Sequence, residues 1–208
     1  YKRQYQSVLI SYLMHAVSVG VLAFQGDVLE HVQALEDGAR KLKKDIKITL
    51  VRTKKNLEGL DALVIPGGES TTIWKLCERE QMFEPIKRIK NLFGTCAGAI
   101  LLAKRVEQKA EGQKTLAVMD IGVDRNAYGR QASSFEEDID TAFGRMHAVF
   151  IRAPRITSIG RRVAVLARKG DEILACEEKR GGAYYLASAF HPELTTSAFH
   201  EHFLRNAR

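Results

Sequence analysis

Short apolar runs alternate with segments of helical period from Val17 to Val106, joined by connections of only a few residues. Val17 to Phe24 reads as a buried strand ending at Gln25-Gly26-Asp27, after which Val28, Leu29, Val32, Leu35, Ala39 and Leu42 recur at helical spacing. Ile46 to Val51 and Ala62 to Ile65 read as further strands, the latter stopped by Pro66-Gly67-Gly68. Short helical patterns follow around Ile73–Cys77 and Pro85–Ile89, then a strand at Leu92–Thr95 and a helix over Ala97 to Val106. Parallel strands need crossovers that lie on a face of the sheet, so this order predicts an α/β fold. The expected architecture is a three-layer, mostly parallel sheet with helices on both faces. The second half differs in character. Ala148–Arg152, Val163–Ala167, Ile173–Cys176 and Tyr184–Phe190 are strand-like with little helix between them. They predict extra antiparallel strands in the C-terminal half, closed by a helix over Ser197 to Leu204.

One junction of this pattern carries chemistry. Gly94-Thr95-Cys96-Ala97-Gly98 is a G-x-C-x-G segment between an expected strand and an expected helix. A sharp turn there lifts Cys96 above the sheet, and the small flanking residues make room for the strained backbone. The helix N-terminus beyond favours thiolate over thiol, and the Ala97 N–H becomes a candidate oxyanion donor. Cys77 and Cys176 lack this setting and read as buried structural residues.

A thiol nucleophile works with an imidazole base and a group that orients it. Phe190-His191-Pro192-Glu193 offers both at a strand end, where residues i and i+2 of an extended segment share a face. Among the other histidines, His31 lies on the first helix and reads as structural. Pro66-Gly67-Gly68-Glu69-Ser70 lies between a strand and a helix and lets backbone N–H groups approach a ligand. A phosphate loop is one option, but no GK[ST] follows. A turn that holds a carbonyl oxygen or carboxylate fits better, with Ser70 also serving as a helix cap.

Together these segments resemble the class I (triad) glutamine amidotransferases, a flavodoxin-like three-layer family. Within it they are most similar to the glutaminase subunits of two-component pyridoxal 5′-phosphate synthases. The resemblance runs through Gly20-Val21-Leu22-Ala23-Phe24-Gln25-Gly26, Pro66 to Thr72, Gly94 to Gly98, Arg125-Asn126-Ala127-Tyr128-Gly129-Arg130-Gln131, Ile151-Arg152-Ala153-Pro154 and Phe190 to Leu194. It implies that Cys96, His191 and Glu193 are the triad and that Gly68, Glu69, Ser70, Arg125, Ile151 and Arg152 contact glutamine. Gly68 and Ala97 would hold the oxyanion. Arg130 competes with Arg125 for the same role, since spacing does not choose between them. The implied products are glutamate and ammonia, the latter passing to a separate (β/α)-barrel synthase subunit in a hetero-oligomeric complex. No metal or organic cofactor is implied.

The remaining features bound the alternatives. The 208 residues, with 45% hydrophobic and 27% charged, suit one packed domain and exclude a disordered chain. The apolar run from Val8 to Phe24 is interrupted by Ser11, Tyr12 and His15 and lacks a cleavage signature. It is also shorter than the ~20 residues of a membrane span. Residues 1–13 therefore read as a leader segment and residues 14–208 as a single glutaminase domain. Three widely spaced cysteines form no disulfide framework, which favours a reducing, cytoplasmic setting. The net charge of +7 concentrates between Arg40 and Lys55. That stretch reads as a solvated face or as a docking surface for an acidic partner, and no aromatic platform accompanies it to suggest nucleic acid. Rival functions are an amidotransferase subunit of another pathway, a cysteine hydrolase on the same fold, and a non-catalytic binding or chaperone-like module. The Pro66-Gly67-Gly68 turn is the expected gate for partner-dependent activation, with Gln25 stabilising the switched form.

Overall fold

The computed structural model describes residues 16–127 and 134–207. The leader expected at residues 1–13, and Tyr128 to Gln131 with the competing Arg130, lie outside them.

The strands form one mixed sheet in two halves. The first half is parallel and runs β2 (Ile46–Val51), β1 (Val17–Leu22), β3 (Ala62–Ile65), β4 (Asn91–Thr95) and β12 (Ala183–Ser188). The sheet then continues antiparallel through β11 (Glu172–Arg180), β10 (Val163–Lys169), β7 (Phe135–Thr141) and β8 (Gly144–Phe150). A side branch joins β5 (Ala103–Glu107), β6 (Met119–Asp124) and β9 (Arg155–Ile159), the last pairing with β11.

Successive side chains of a strand point to opposite faces, and the core divides accordingly. Val19, Val21, Ala62, Val64 and Phe93 pack on one face beneath α1 (Val28–Leu42) and α5 (Ala198–Asn206). Leu22, Leu63, Ile65 and Leu92 pack on the other beneath α2 (Ser70–Arg79), α3 (Phe83–Arg88) and α4 (Ala97–Leu102). This is the three-layer arrangement with antiparallel strands added in the C-terminal half. The basic stretch is partly structural. Lys41 Nζ donates to Ser197 Oγ at 2.8 Å and to Glu201 Oε1 at 2.9 Å, and Lys44 Nζ donates to the Ala207 carbonyl at 3.2 Å. These contacts tie the C-terminal end of α1 to α5.

The helix expected over Ala97 to Val106 stops at Leu102, and Ala103–Glu107 is strand β5. The cause is the returning chain. Leu116 N–H donates to the Leu101 carbonyl at 2.7 Å and Val118 N–H to the Leu102 carbonyl at 3.1 Å. The last helical carbonyls are thereby satisfied without another turn. Lys104 and Arg105 then reach Asp120 on β6, at 3.6 and 3.2 Å.

Candidate active site

The C-terminal ends of β1, β3, β4 and β12 lie side by side in the parallel half of the sheet, and the loops leaving them converge. Ligands of such sheets bind in the crevice beyond these ends. Cys96 follows β4 and adopts φ 48° and ψ −105°, a left-handed strain seldom accepted outside functional turns. Its N–H donates to the Ser188 carbonyl of β12 at 2.8 Å. The strain is held by close packing beneath. A Cβ on Gly98 would stand 2.0 Å from the Ile65 carbonyl oxygen of β3, so only glycine lets the helix start this near the sheet. Cys96 is 5% exposed and its thiol approaches the Ile151 carbonyl at 3.7 Å.

His191 follows β12 and is held by its N–H, which donates to the Val149 carbonyl at 2.9 Å. Its Nδ1 hydrogen-bonds Glu193 Oε1 at 2.8 Å. The extended segment expected here is absent: Pro192–Leu194 is a 3-10 turn with proline at its start, whose fixed φ suits that position. The turn, not strand alternation, folds the carboxylate back under the ring. Nε2 is buried with no hydrogen-bond partner among the described residues, and a point at the ideal Cβ of Gly67 lies 3.2 Å from it and 3.3 Å from Cys96 Cβ. The free nitrogen and the thiol thus share one corner. Burial opposes a charge on His191, but the neighbouring Asp27, Cys96 and Glu193 outweigh it and raise the pKa, favouring the imidazolium. Glu193 is also buried, yet the neighbouring His31 and His191 hold its pKa below the ordinary carboxylate range.

A chain of buried groups stands behind the carboxylate. His31 Nε2 lies 3.3 Å from Glu193 Oε1 and 3.1 Å from Thr95 Oγ1, while its Nδ1 is 2.9 Å from His200 Nε2. His200 Nδ1 has no partner among the described residues, and burying an unpaired N–H is costly, so the proton of His200 belongs on Nε2. It then donates to His31 Nδ1, which leaves His31 to donate from Nε2 toward Glu193. The pKa of His200 is lowered to about 3, first by burial.

Gly68, Glu69 and Ser70 form the turn into α2. Glu69 caps the helix, accepting from Thr71 N at 3.0 Å and Thr72 N at 2.7 Å, and pairs with Arg125 Nη2 at 2.6 Å. Burial works against its charge, but the hydrogen bonds from Thr71 and Thr72 prevail and lower its pKa to about 2. Its carbonyl accepts from Gln25 Nε2 at 2.8 Å. Ser70 is buried and accepts from Gln113 Nε2 at 3.1 Å, which leaves the serine proton free to point elsewhere. These residues enclose a cleft of about 460 Å³ with Cys96, His191, Arg125, Ile151 and Arg152. Of the expected site residues, only Glu193, behind His191, and Ala97, the first residue of α4, do not line it.

Such an arrangement can form a thiolate–imidazolium pair beside a cleft that offers two arginines for an anionic group. Asp27, His191 and Glu193 bring donor atoms within 4.8 Å of one another, a spacing that suits a cation. The Nδ1 proton already bonded to Glu193 occupies that position. Four contributors escaped the sequence reading: Asp27, His31, His200 and Gln113. Asp27 is the N-cap of α1 and His31 lies in its first turns, so one helix start carries both toward the triad.

A family profile described as the SNO glutamine amidotransferase family matches residues 21–208. The chain is 42% identical over 197 residues to the "Pyridoxal 5'-phosphate synthase subunit PdxT" of Thermococcus onnurineus, covering 91% of this chain and 98% of that one. It is 46% identical over 196 residues to the protein of the same description from Thermus thermophilus, covering 91% and 97%. A solved structure described as "Crystal structure of glutamine amidotransferase" superposes with a TM-score of 0.75 at 45% identity, covering 91% of this chain and 98% of that one.

Proposed function

Since the chain belongs to the SNO glutamine amidotransferase family, we propose that it hydrolyses L-glutamine to L-glutamate and ammonia with Cys96 as nucleophile. We propose further that the ammonia goes to a separate pyridoxal 5′-phosphate synthase subunit, in a complex assembled in the reducing cytoplasm. The observation that carries the catalytic reading is the joint placement of Cys96 and His191, whose Nδ1 is held by Glu193 at 2.8 Å.

The thiolate of Cys96 adds to the side-chain amide carbon, and the developing oxyanion is received by backbone N–H groups at Gly68 and Ala97. His191 gives its Nε2 proton to the amide nitrogen, the C–N bond breaks to release ammonia, and the glutamyl carbonyl remains on Cys96 as a thioester. Water then attacks this carbonyl while Nε2 takes its proton, and cleavage of the C–S bond releases glutamate. Glu193 keeps the imidazole in the orientation and tautomer both steps use. Arg125 and Arg152 suit the α-carboxylate of glutamine, and Ser70, Glu69 and Ile151 line the same cleft.

The test is glutamate release by the purified chain alone and with saturating synthase subunit. Turnover that rises about tenfold or more on adding the subunit, equivalent to ~1.4 kcal/mol of transition-state stabilisation, supports a gate at Pro66-Gly67-Gly68. Gln25, already bonded to the Glu69 carbonyl, is placed to hold that turn. Turnover that is unchanged overturns the gating. Turnover that persists in Cys96→Ala overturns the nucleophile, and none in either condition overturns the reading itself.

A further inference from the structure

We propose that Asp27 is a positioning residue for His191, a second carboxylate that stabilises the imidazolium and stands in as acceptor when Glu193 is lost. This rests on the reading of His191 as the acid and base of the reaction. Asp27 Oδ2 lies 2.9 Å from His191 Nδ1, beside the Glu193 oxygen at 2.8 Å. One N–H points along one direction, and its hydrogen bond goes to Glu193. Asp27 therefore acts chiefly through its charge, and it is the nearest acceptor if the Glu193 carboxylate is removed.

The backbone supplies an independent observation. Asp27 is the N-cap residue of α1, a position where aspartate ordinarily accepts from an N–H of the first turn. Here it makes no side-chain cap hydrogen bond. A cap of this kind is commonly worth ~1 kcal/mol, and the side chain forgoes it to face the imidazole across the cleft. Asp27 also lines that cleft with Cys96, whereas Glu193 is buried behind the ring. The two carboxylates hold Nδ1 from the open and the closed side.

The titratable and charged groups around His191 come from each packed element. Cys96 faces it from the β4–α4 turn, Asp27 from the start of α1, and Glu193 from its own 3-10 turn, backed by His31 of α1 and His200 of α5. Glu69, Arg125 and Arg152 share the cleft. Among these, Asp27 is the carboxylate next to Nδ1 whose removal leaves the buried network intact.

The experiment uses the full chain with its synthase subunit for kinetics and the full chain alone for imidazole nitrogen NMR. An opposite charge within hydrogen-bond reach typically moves a pKa by 1–3, and the partial exposure of Asp27 puts its effect at the lower end. Asp27→Asn is expected to lower the titration midpoint of His191 by about one pH unit. The alkaline limb of kcat/KM should move down with it, because the imidazolium is lost sooner. Asp27→Ser offers a capping hydroxyl, so it should lower the same midpoint while the melting temperature holds or rises. In turnover, Glu193→Gln should retain a remnant that Asp27→Asn/Glu193→Gln loses by a further tenfold or more. An unmoved midpoint in Asp27→Asn, or a double variant no worse than Glu193→Gln, would overturn the proposal. The NMR midpoint is read without turnover, so a chain inactive on glutamine would fail the functional reading and still test the contact.

Discussion

Gly67 is where a single methyl group tests the geometry of the site. Its φ lies outside the left-handed region, so alanine meets no backbone strain there. The added Cβ would, however, stand 2.4 Å from His191 Cε1, 3.2 Å from Nε2 and 3.3 Å from Cys96 Cβ. Ordinary contact begins at 3.4 Å, so the ring must give way by about 1 Å. It cannot retreat freely, because Nδ1 is already 2.8 Å from Glu193 and the backbone N–H is tied to Val149. Displacement of about 1 Å at a reacting group costs on the order of 10²-fold, so kcat for glutamate release should fall by about that factor in Gly67→Ala. Stability should fall, by up to about 2.6 kcal/mol net. Entropy lost from the unfolded chain contributes ~0.4–1 kcal/mol in favour of alanine, against an overpacking cost of ~1–3 kcal/mol. The assay is steady-state glutamate release with the synthase subunit, paired with a urea denaturation curve. A folded Gly67→Ala variant within threefold of wild-type kcat would refute the claim that turnover depends on where His191 sits against Cys96.

The remaining expectations follow from burial. Iodoacetamide should modify Cys96 before Cys77 or Cys176, whose thiols burial pushes up to about 12. Peptide mapping checks this, and first reaction at either buried cysteine with glutaminase activity retained would count against the nucleophile. In turnover, Cys96→Ala and His191→Asn should each abolish glutamate release, while Glu193→Gln leaves a measurable remnant, because an orienting group matters less than the base it orients. Equal residual rates for the His191 and Glu193 variants would argue against His191 as acid and base. His200 titrates near 3 in the folded chain against 6.5 for an ordinary histidine. The unfolded chain therefore takes up that proton first as pH falls. Stability should drop by about 2 kcal/mol between pH 6.5 and 5 at the linkage slope of ~1.4 kcal/mol per pH unit. Denaturation midpoints at the two pH values should converge in His200→Gln, and an equal loss in variant and wild type would assign the dependence to other groups.

What could be read from the sequence follows from how local each cause is. The parallel strands were legible because Val17–Leu22, Ala62–Ile65 and Asn91–Thr95 are apolar on both faces, as buried parallel strands must be. β7 was not. Phe135-Glu136-Glu137-Asp138-Ile139-Asp140-Thr141 carries four carboxylates and no apolar run, and it becomes a strand through its pairing with β8. Phe135 stacks there on Phe150 at 4.5 Å, and Ile139 faces inward. β6 carried only a short alternation, Met119, Ile121 and Val123 against Asp120, Gly122 and Asp124. The end of α4 depended on carbonyl acceptors filled from residues 116 and 118. Within the site, the nucleophile and its base sit in segments whose glycines and proline shape the turns locally. Asp27, the His31–His200 pair and Gln113 acquire their roles only when elements far apart in sequence meet, as the separation of 169 residues between the two histidines illustrates.

The site is nonetheless tied to the core by register. Ile65 pairs with Gly94 and Ser188 with Thr95, so β4 is pinned on both sides at the residues just before the nucleophile. That pinning puts the Cys96 N–H on the Ser188 carbonyl and brings Gly98 under the Ile65 carbonyl. A slip of one residue in β4 would turn Phe93 and Leu92 to the wrong faces and swing the elbow away from His191 at the same time. Burying the two side chains correctly is worth about 1.5–3 kcal/mol each, so the core itself enforces the alignment of thiol and imidazole. The same pairing explains why residues from four distant loops can form one cleft. Adjacent strands are spaced at ~4.8 Å, and β1, β3, β4 and β12 are consecutive neighbours in the sheet. Whatever each strand carries at its C-terminal end is therefore delivered to a common edge, with a precision set by hydrophobic packing well below the chemistry.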